Sequence, residues 1–175
     1  MSALLPNNVV DVSDLREIPD NQEVFVHQGT DQSIIVEILE MVQEGDEQAV
    51  RTHFQELASS NDATQDNQVA SVEQMAKNQI SMDVCESAYY LSGQQLISKF
   101  KETAKNVVNI HLALFRIPSK QTDIILTLND PVNISPQSSS GQVQGEGVPR
   151  QDPWTLEHFR LCLQSLKIQN TDFLG

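Results

Sequence analysis

Basic side chains are nearly missing from the first third of this chain. Before residue 67 only Arg16 and Arg51 stand against fourteen Asp and Glu, a net of −12, whereas residues 67–175 set ten acids against nine Lys and Arg. Such a field excludes nucleic acid and anionic lipid as favoured partners and suits a basic protein surface. A solvated acidic face that only keeps the chain soluble is the alternative. Cysteine is scarce too. Cys85 and Cys162 are too few and too far apart for a disulfide framework, which implies a reducing cytosolic or nuclear setting with two free thiols. No run of about 18 apolar residues exists, so direct membrane insertion is not expected. Met1-Ser-Ala-Leu-Leu-Pro6 lacks the basic and apolar regions of a secretory signal, and the sequon Asn133-Ile134-Ser135 is therefore read as chance.

What is present is patterned sequence for one domain, 1–175. Strands are expected at Glu23–His27, Val69–Met75 and Ser87–Ser98, and most strongly at Val107–Ile117 and Thr122–Asn129. Within Val107–Ile117, Val108, Ile110, Leu112 and Leu114 share one face, with His111, Ala113 and Phe115 on the other. Pro118-Ser-Lys-Gln121 reads as a short hairpin connection between the last two strands. Gln32–Val42 is ambiguous: Glu37 and Glu40, three apart, suit a helix face, while Ile34-Ile35-Val36 suits a strand. We read a strand. A helix is expected over Asp46–Ala58, with Asp46 as its N-cap and a polar loop following at Ser59–Asn67. A second helix is expected over Trp154–Ile168, capped by Asp152 with Pro153 in the first turn and an apolar stripe of Leu156, Phe159, Leu163 and Leu166. Between them Pro131–Arg150, rich in Ser, Gln and Gly, reads as a flexible internal loop. The order predicts an α+β domain, a largely antiparallel sheet flanked by helices.

Catalytic signatures are missing. Gly141, Gly145 and Gly147 lie in the loop with no Gly-Lys-Ser/Thr and no strand-to-helix context, so no phosphate cradle is read there. His27, His53, His111 and His158 are scattered, none at ligand spacing with Cys or Asp, so neither metal nor other cofactor is expected. His53 and His158 read as boundary residues on helices, Cys162 as core, and both cysteines as structural.

The stretch Asp11-Val-Ser-Asp-Leu-Arg-Glu-Ile-Pro-Asp-Asn-Gln-Glu-Val-Phe-Val26 holds five carboxylates within ordered-looking sequence. It closely resembles the signature of the Ran guanine nucleotide release factors. Ser33-Ile-Ile-Val-Glu-Ile-Leu-Glu40, Ala113-Leu-Phe-Arg-Ile-Pro118, Thr122-Asp-Ile-Ile-Leu-Thr-Leu-Asn129 and the final Asp172-Phe-Leu-Gly175 resemble later blocks of the same family. The resemblance implies an α/β domain of the α+β type, with a twisted, mainly antiparallel sheet of about six strands flanked by helices, a fold shared with extrinsic proteins of the photosystem oxygen-evolving complex. It implies a monomer that is not an enzyme, binds the small GTPase Ran and promotes nucleotide release in nuclear transport, in nucleus and cytoplasm. Vertebrate members also bind a cardiac voltage-gated sodium channel and promote its surface delivery, which implies a peripheral plasma-membrane location. One departure is the apolar Gly-Gly strand with which the family usually begins; here that edge element is expected to be short or missing.

Under this resemblance the Ran-binding residues are Asp11, Asp14, Arg16, Asp20, Asn21, Gln22, Glu23, Asp31, Glu37 and Glu40. Asp11, Asp14, Asp20 and Glu23 supply charge, and Asn21 and Gln22 offer both donors and acceptors. Arg16 either bridges neighbouring carboxylates or contacts the partner. Glu37 and Glu40 form a neighbouring acidic pair, while Leu15 and Pro19 hold the loop. A trafficking adaptor without nucleotide release, and an enzyme with an unrecognised site, are the competing readings.

Overall fold

Two apolar segments, Lys105–Ile117 and Thr122–Asn133, pair antiparallel through a 3-10 turn at Pro118–Lys120, with Gln121 in the left-handed region at φ 49°. In the computed structural model, which describes residues 1–98, 105–133, 152–172 and 174, this hairpin lies within a seven-stranded sheet. The strands are β1 (Val9–Asp11), β2 (Gln22–His27), β3 (Ser33–Glu40), β4 (Asn67–Gln74), β5 (Ser87–Ser98), β6 (Lys105–Ile117) and β7 (Thr122–Asn133). Their order is β1-β2-β3-β7-β6-β5-β4, and every neighbouring pair is antiparallel. The α+β fold is as expected. The seventh strand, β1, is three residues long, too short to show an alternating pattern in sequence.

Helices α1 (Asp46–Ser60) and α2 (Leu156–Ser165) cover opposite faces. Alternation along β6 decides what each meets: Val108, Ile110, Leu112 and Leu114 pack with Ala49, Val50 and Phe54 of α1. Ala113, Phe115 and Ile117 pack with Phe159, Cys162 and Leu163 of α2. Gly93 on β5 lets Phe54 in, since a Cβ there would lie 2.6 Å from the Gln68 carbonyl oxygen and 2.8 Å from the Phe54 ring.

Both helix starts differ from expectation. Gly45 is the N-cap of α1, and Asp46 is its first residue. The Asp46 carboxylate is instead drawn to Arg116 Nη1 at 2.9 Å, a stronger partner than the amides of its own first turn. The helix then runs on to Ser60, shortening the expected polar loop. Trp154 stays out of α2 because it is buried and clasped: Gln32 Oε1 accepts its N–H at 2.7 Å and Gln32 Nε2 donates to its carbonyl at 2.8 Å. Thr155 caps α2 instead, its hydroxyl accepting from the His158 N–H, and Asp152 adopts a positive φ of 45°. Leu156 is exposed, so the buried stripe is Phe159, Cys162 and Leu163, continued by Leu166 just past the helix end. Of the expected loop 131–150, Pro131–Asn133 belongs to β7 and residues 134–150 lie outside the described residues. At the chain start, Ser2 forms an isolated antiparallel bridge with Lys167.

Candidate partner-docking surface

The connection from β1 to β2 is ordered by neutral groups. Asp11 accepts from the Ser13 N–H at 2.8 Å and the Ser13 hydroxyl at 2.7 Å, capping the 3-10 turn Val12–Asp14. These two donors hold the Asp11 carboxyl below its usual range. Val12 is buried under the turn, and its carbonyl accepts from the Leu15 and Arg16 amides. The Pro19 carbonyl then accepts the Gln22 N–H at 3.0 Å, which turns the chain through Asp20 and Asn21. Asn21 ties that turn to β3 twice: its carbonyl takes the Ile38 N–H at 2.9 Å and its Nδ2 donates to the Ile38 carbonyl at 3.2 Å. Gln22 sits opposite Glu37 in register and donates Nε2–H to Glu37 Oε1 at 2.7 Å.

One end of the sheet thus gathers Asp11, Asp14, Arg16, Asp20, Asn21, Gln22 and Glu23, with Glu37 beside Gln22 and Glu40 three residues further along β3. Asp31 does not join them. It lies at the other end of the β2–β3 hairpin, on the order of 15–20 Å away at about 3.3 Å per strand residue. Glu37 and Glu40 are not a neighbouring pair either, because residues three apart on a strand face opposite sides. Leu15 does not hold the loop: it is 71% exposed, the most open of the large apolar side chains among the described residues, and Val12 and Asn21 do that work. Arg16 is exposed and makes no ion pair among the described residues, so it does not bridge the acids around it. Glu17, exposed in the same turn, belongs to the surface and is absent from the expected set.

Beneath this surface sits a buried ionic group that fixes α1 against the sheet. Asp123, fully buried, accepts from Arg116 Nε at 3.1 Å, from the Val42 N–H at 3.2 Å and pairs with His53 Nε2 at 2.9 Å. Arg116 also donates to the Glu44 carbonyl at 2.7 Å and to the Val42 carbonyl. His53 is therefore a buried hydrogen-bond partner of Asp123 and no boundary residue. The signal was present: a hairpin closing at Pro118–Gln121 puts Arg116 opposite Asp123, two charges in otherwise apolar strands.

His53 and the thiols lie on opposite sides of the sheet, so that histidine forms no cysteine–histidine nucleophile with them. Burial raises both thiols, that of Cys162 to about 11. His111 pairs with the Tyr90 hydroxyl at 2.7 Å, and His158 Nδ1 accepts the Thr155 N–H. Among the described residues no group of three His, Cys, Asp or Glu could hold a metal ion, and no helix is long and apolar enough to cross a membrane. The arrangement leaves charge and hydrogen-bonding groups exposed on the β1–β2 connection.

Residues 1–131 match the model of a protein family described as Ran-interacting Mog1 protein. A zebrafish (Danio rerio) protein named Ran guanine nucleotide release factor is 50% identical over 180 residues, spanning 100% of this chain and 95% of that protein. A human (Homo sapiens) protein of the same name is 38% identical over 176 residues, spanning 99% and 91%. The crystal structure of the Saccharomyces cerevisiae Ran-binding protein Mog1p superposes with a TM-score of 0.64 at 22% identity, covering 93% of this chain and 87% of that one, a likeness of fold.

Proposed function

Because this chain belongs to the Mog1 family of Ran-interacting proteins, we propose that it binds the small GTPase Ran through the acidic β1–β2 connection and promotes release of Ran's guanine nucleotide in nuclear protein transport. One observation carries the choice of surface. Among the described residues, Asp11, Asp14, Glu17, Asp20 and Glu23 of this connection form no ion pair, whereas three acids in and beside α1 are paired with the chain's own cations: Glu47 with Arg51, Asp46 with Arg116, Asp66 with Lys105. An ordered surface of unspent carboxylates suits a basic partner.

The action is non-catalytic in the chemical sense: no bond is made or broken by this chain. A release factor stabilises the nucleotide-poor GTPase, because a ligand shifts an equilibrium only by its differential affinity. Nucleotide phosphates and Mg²⁺ are held by backbone amides, a lysine and carboxylates. A carboxylate from this chain that captures a basic group needed by the phosphates, or displaces a switch segment, weakens that hold. Asp20 and Glu23, both exposed on the anchored turn and strand start, are the leading candidates.

Asp20→Lys with Glu23→Lys should abolish Ran binding and nucleotide release while leaving the fold intact, since exposed substitutions cost little stability. Asp20→Asn and Glu23→Gln should weaken release more than binding. Fluorescent nucleotide dissociation from Ran, read beside Ran affinity, decides; normal release by the double lysine variant would refute the assigned surface. Binding without release would leave an adaptor working between nucleus and cytoplasm. Delivery of a sodium channel, with a plasma-membrane location, rests on the family resemblance alone.

A further inference from the structure

Behind the acidic hairpin, between β3 and α1, lies a cleft of about 280 Å³. Ile35, Leu57 and Leu112 give it an apolar wall, and Glu37, His53 and Glu56 give it polar groups. His53 is the unusual member. Its side chain is 1% exposed, and its Nδ1 is buried without a hydrogen bond among the described residues. Glu56 Oε2 lies 3.3 Å from Nδ1, at ion-pair distance but outside hydrogen-bonding geometry.

The chemistry of the opposite ring nitrogen says what is lacking. The Asp123 carboxylate accepts only, so His53 donates Nε2–H to it, and in a ring carrying that one proton Nδ1 is the remaining acceptor. Glu37 has Oε1 engaged by Gln22, which leaves Oε2. The cleft therefore sets Nδ1 and two carboxylates beside an apolar wall with no Lys or Arg in its lining; its donors are the Gln22 amide, which serves Glu37, the Ser60 hydroxyl, which serves the Glu56 carbonyl, and the Thr127 hydroxyl. A lysine ammonium offers three N–H donors on a four-carbon stem.

We propose that this cleft receives one lysine side chain of the docked partner, its stem along Ile35, Leu57 and Leu112 and its ammonium on His53 Nδ1, Glu56 and Glu37. The identity of that partner rests on the Ran-binding function above; the donor-seeking chemistry of the cleft does not. The site lies next to the acidic surface, since Gln22 and Glu37 line it as well.

The probe is n-butylammonium, titrated into the full chain and followed by ¹H–¹⁵N NMR, with n-butanol and tetramethylammonium as controls that lack the charge or the N–H. Saturable shifts confined to the cleft, including the His53 ring nitrogen, are expected for n-butylammonium and not for the controls. Glu56→Gln should lower the probe's affinity about fivefold. Ser60 sits on the rim, so Ser60→Lys should fill the cleft from within and abolish probe binding, while Ser60→Met should not. Ser60→Lys should also weaken Ran at least about fivefold, an ion pair's worth. Shifts spread over every exposed acid, an imidazolium signal from His53 in the free chain, or unchanged Ran affinity in Ser60→Lys would overturn the proposal. Failure of the unaltered chain to bind Ran would refute the function proposed above, and the probe titration would still decide the cleft.

Discussion

Asp123→Asn tests whether the buried ionic group fixes α1 against the sheet. Asp123 is fully buried and serves three partners: Arg116 Nε, His53 Nε2 and the Val42 N–H. Its amide replacement keeps the volume but removes the charge, leaving Arg116, whose side chain is 4% exposed, with Asp46 and two carbonyls. Removing one member of a buried ion pair costs about 3–5 kcal/mol. Asp46 offers the internal control, because its side chain is 41% exposed and the same Arg116 is its partner. Asp46→Asn should therefore cost about 1 kcal/mol or less. Urea unfolding is the assay, with the loss read as a lower midpoint at constant slope. In thermal unfolding the two variants should separate clearly, at about 2–4 °C per kcal/mol for a chain of this size. Equal losses at Asp123 and Asp46 would refute the argument, because burial would then not govern the cost. Arg116→Met combined with Asp123→Leu should recover part of the loss, since well-packed apolar groups can replace a buried ion pair.

Gly93→Ala should destabilise by about 1–3 kcal/mol, because the new methyl meets the Gln68 carbonyl, which a strand cannot move aside; an unchanged urea midpoint would contradict the close packing of Phe54. Cys85 and Cys162 should resist iodoacetamide at pH 8 in the folded chain and react after unfolding, their thiols being raised by burial. The sign for stability follows: with Cys162 raised from 9.0 to about 11, the unfolded chain loses its proton first, so this contribution is intact below pH 9 and is lost as pH rises towards 11. Association with Ran should slow markedly between low and physiological salt, as screening shortens electrostatic reach to about 8 Å; stopped-flow rates flat across that range would remove the steering role of the acidic face.

Sequence pattern was strong where a strand is long and differs between its faces. Ser87–Ser98 was legible to the residue, and the two faces of Lys105–Ile117 were legible from alternation, because each face meets its own helix. It failed where a tertiary contact overrode a local signal. Asp152-Pro153 has the composition of a helix start, yet Gln32, far away in sequence, holds Trp154 extended and moves the cap to Thr155. Asp46 looks like a cap and becomes a partner of Arg116 for the same reason. At the candidate docking surface, the sequence located the crowded acids but not their geometry. Which face Glu37 takes depends on its register with Gln22, and the separation of Asp31 depends on the hairpin's direction. Neither is a local property.

How the acids are held bears on what they can do. Carboxylates crowded into one connection repel each other, so order there needs compensation from somewhere. Around α1 the compensation is cationic: Arg51, Arg116 and Lys105 each neutralise an acid, and a partner would have to break those pairs first. Along β1–β2 it comes from Ser13, Gln22, the Asn21 amide and backbone N–H groups, which fix positions without cancelling charge. Charge left uncancelled reaches out to about a Debye length and can steer a basic surface. Backbone anchoring to β3 also means that binding orders little further chain, so less conformational entropy opposes it. A purely solubilising face would need neither anchoring nor alignment.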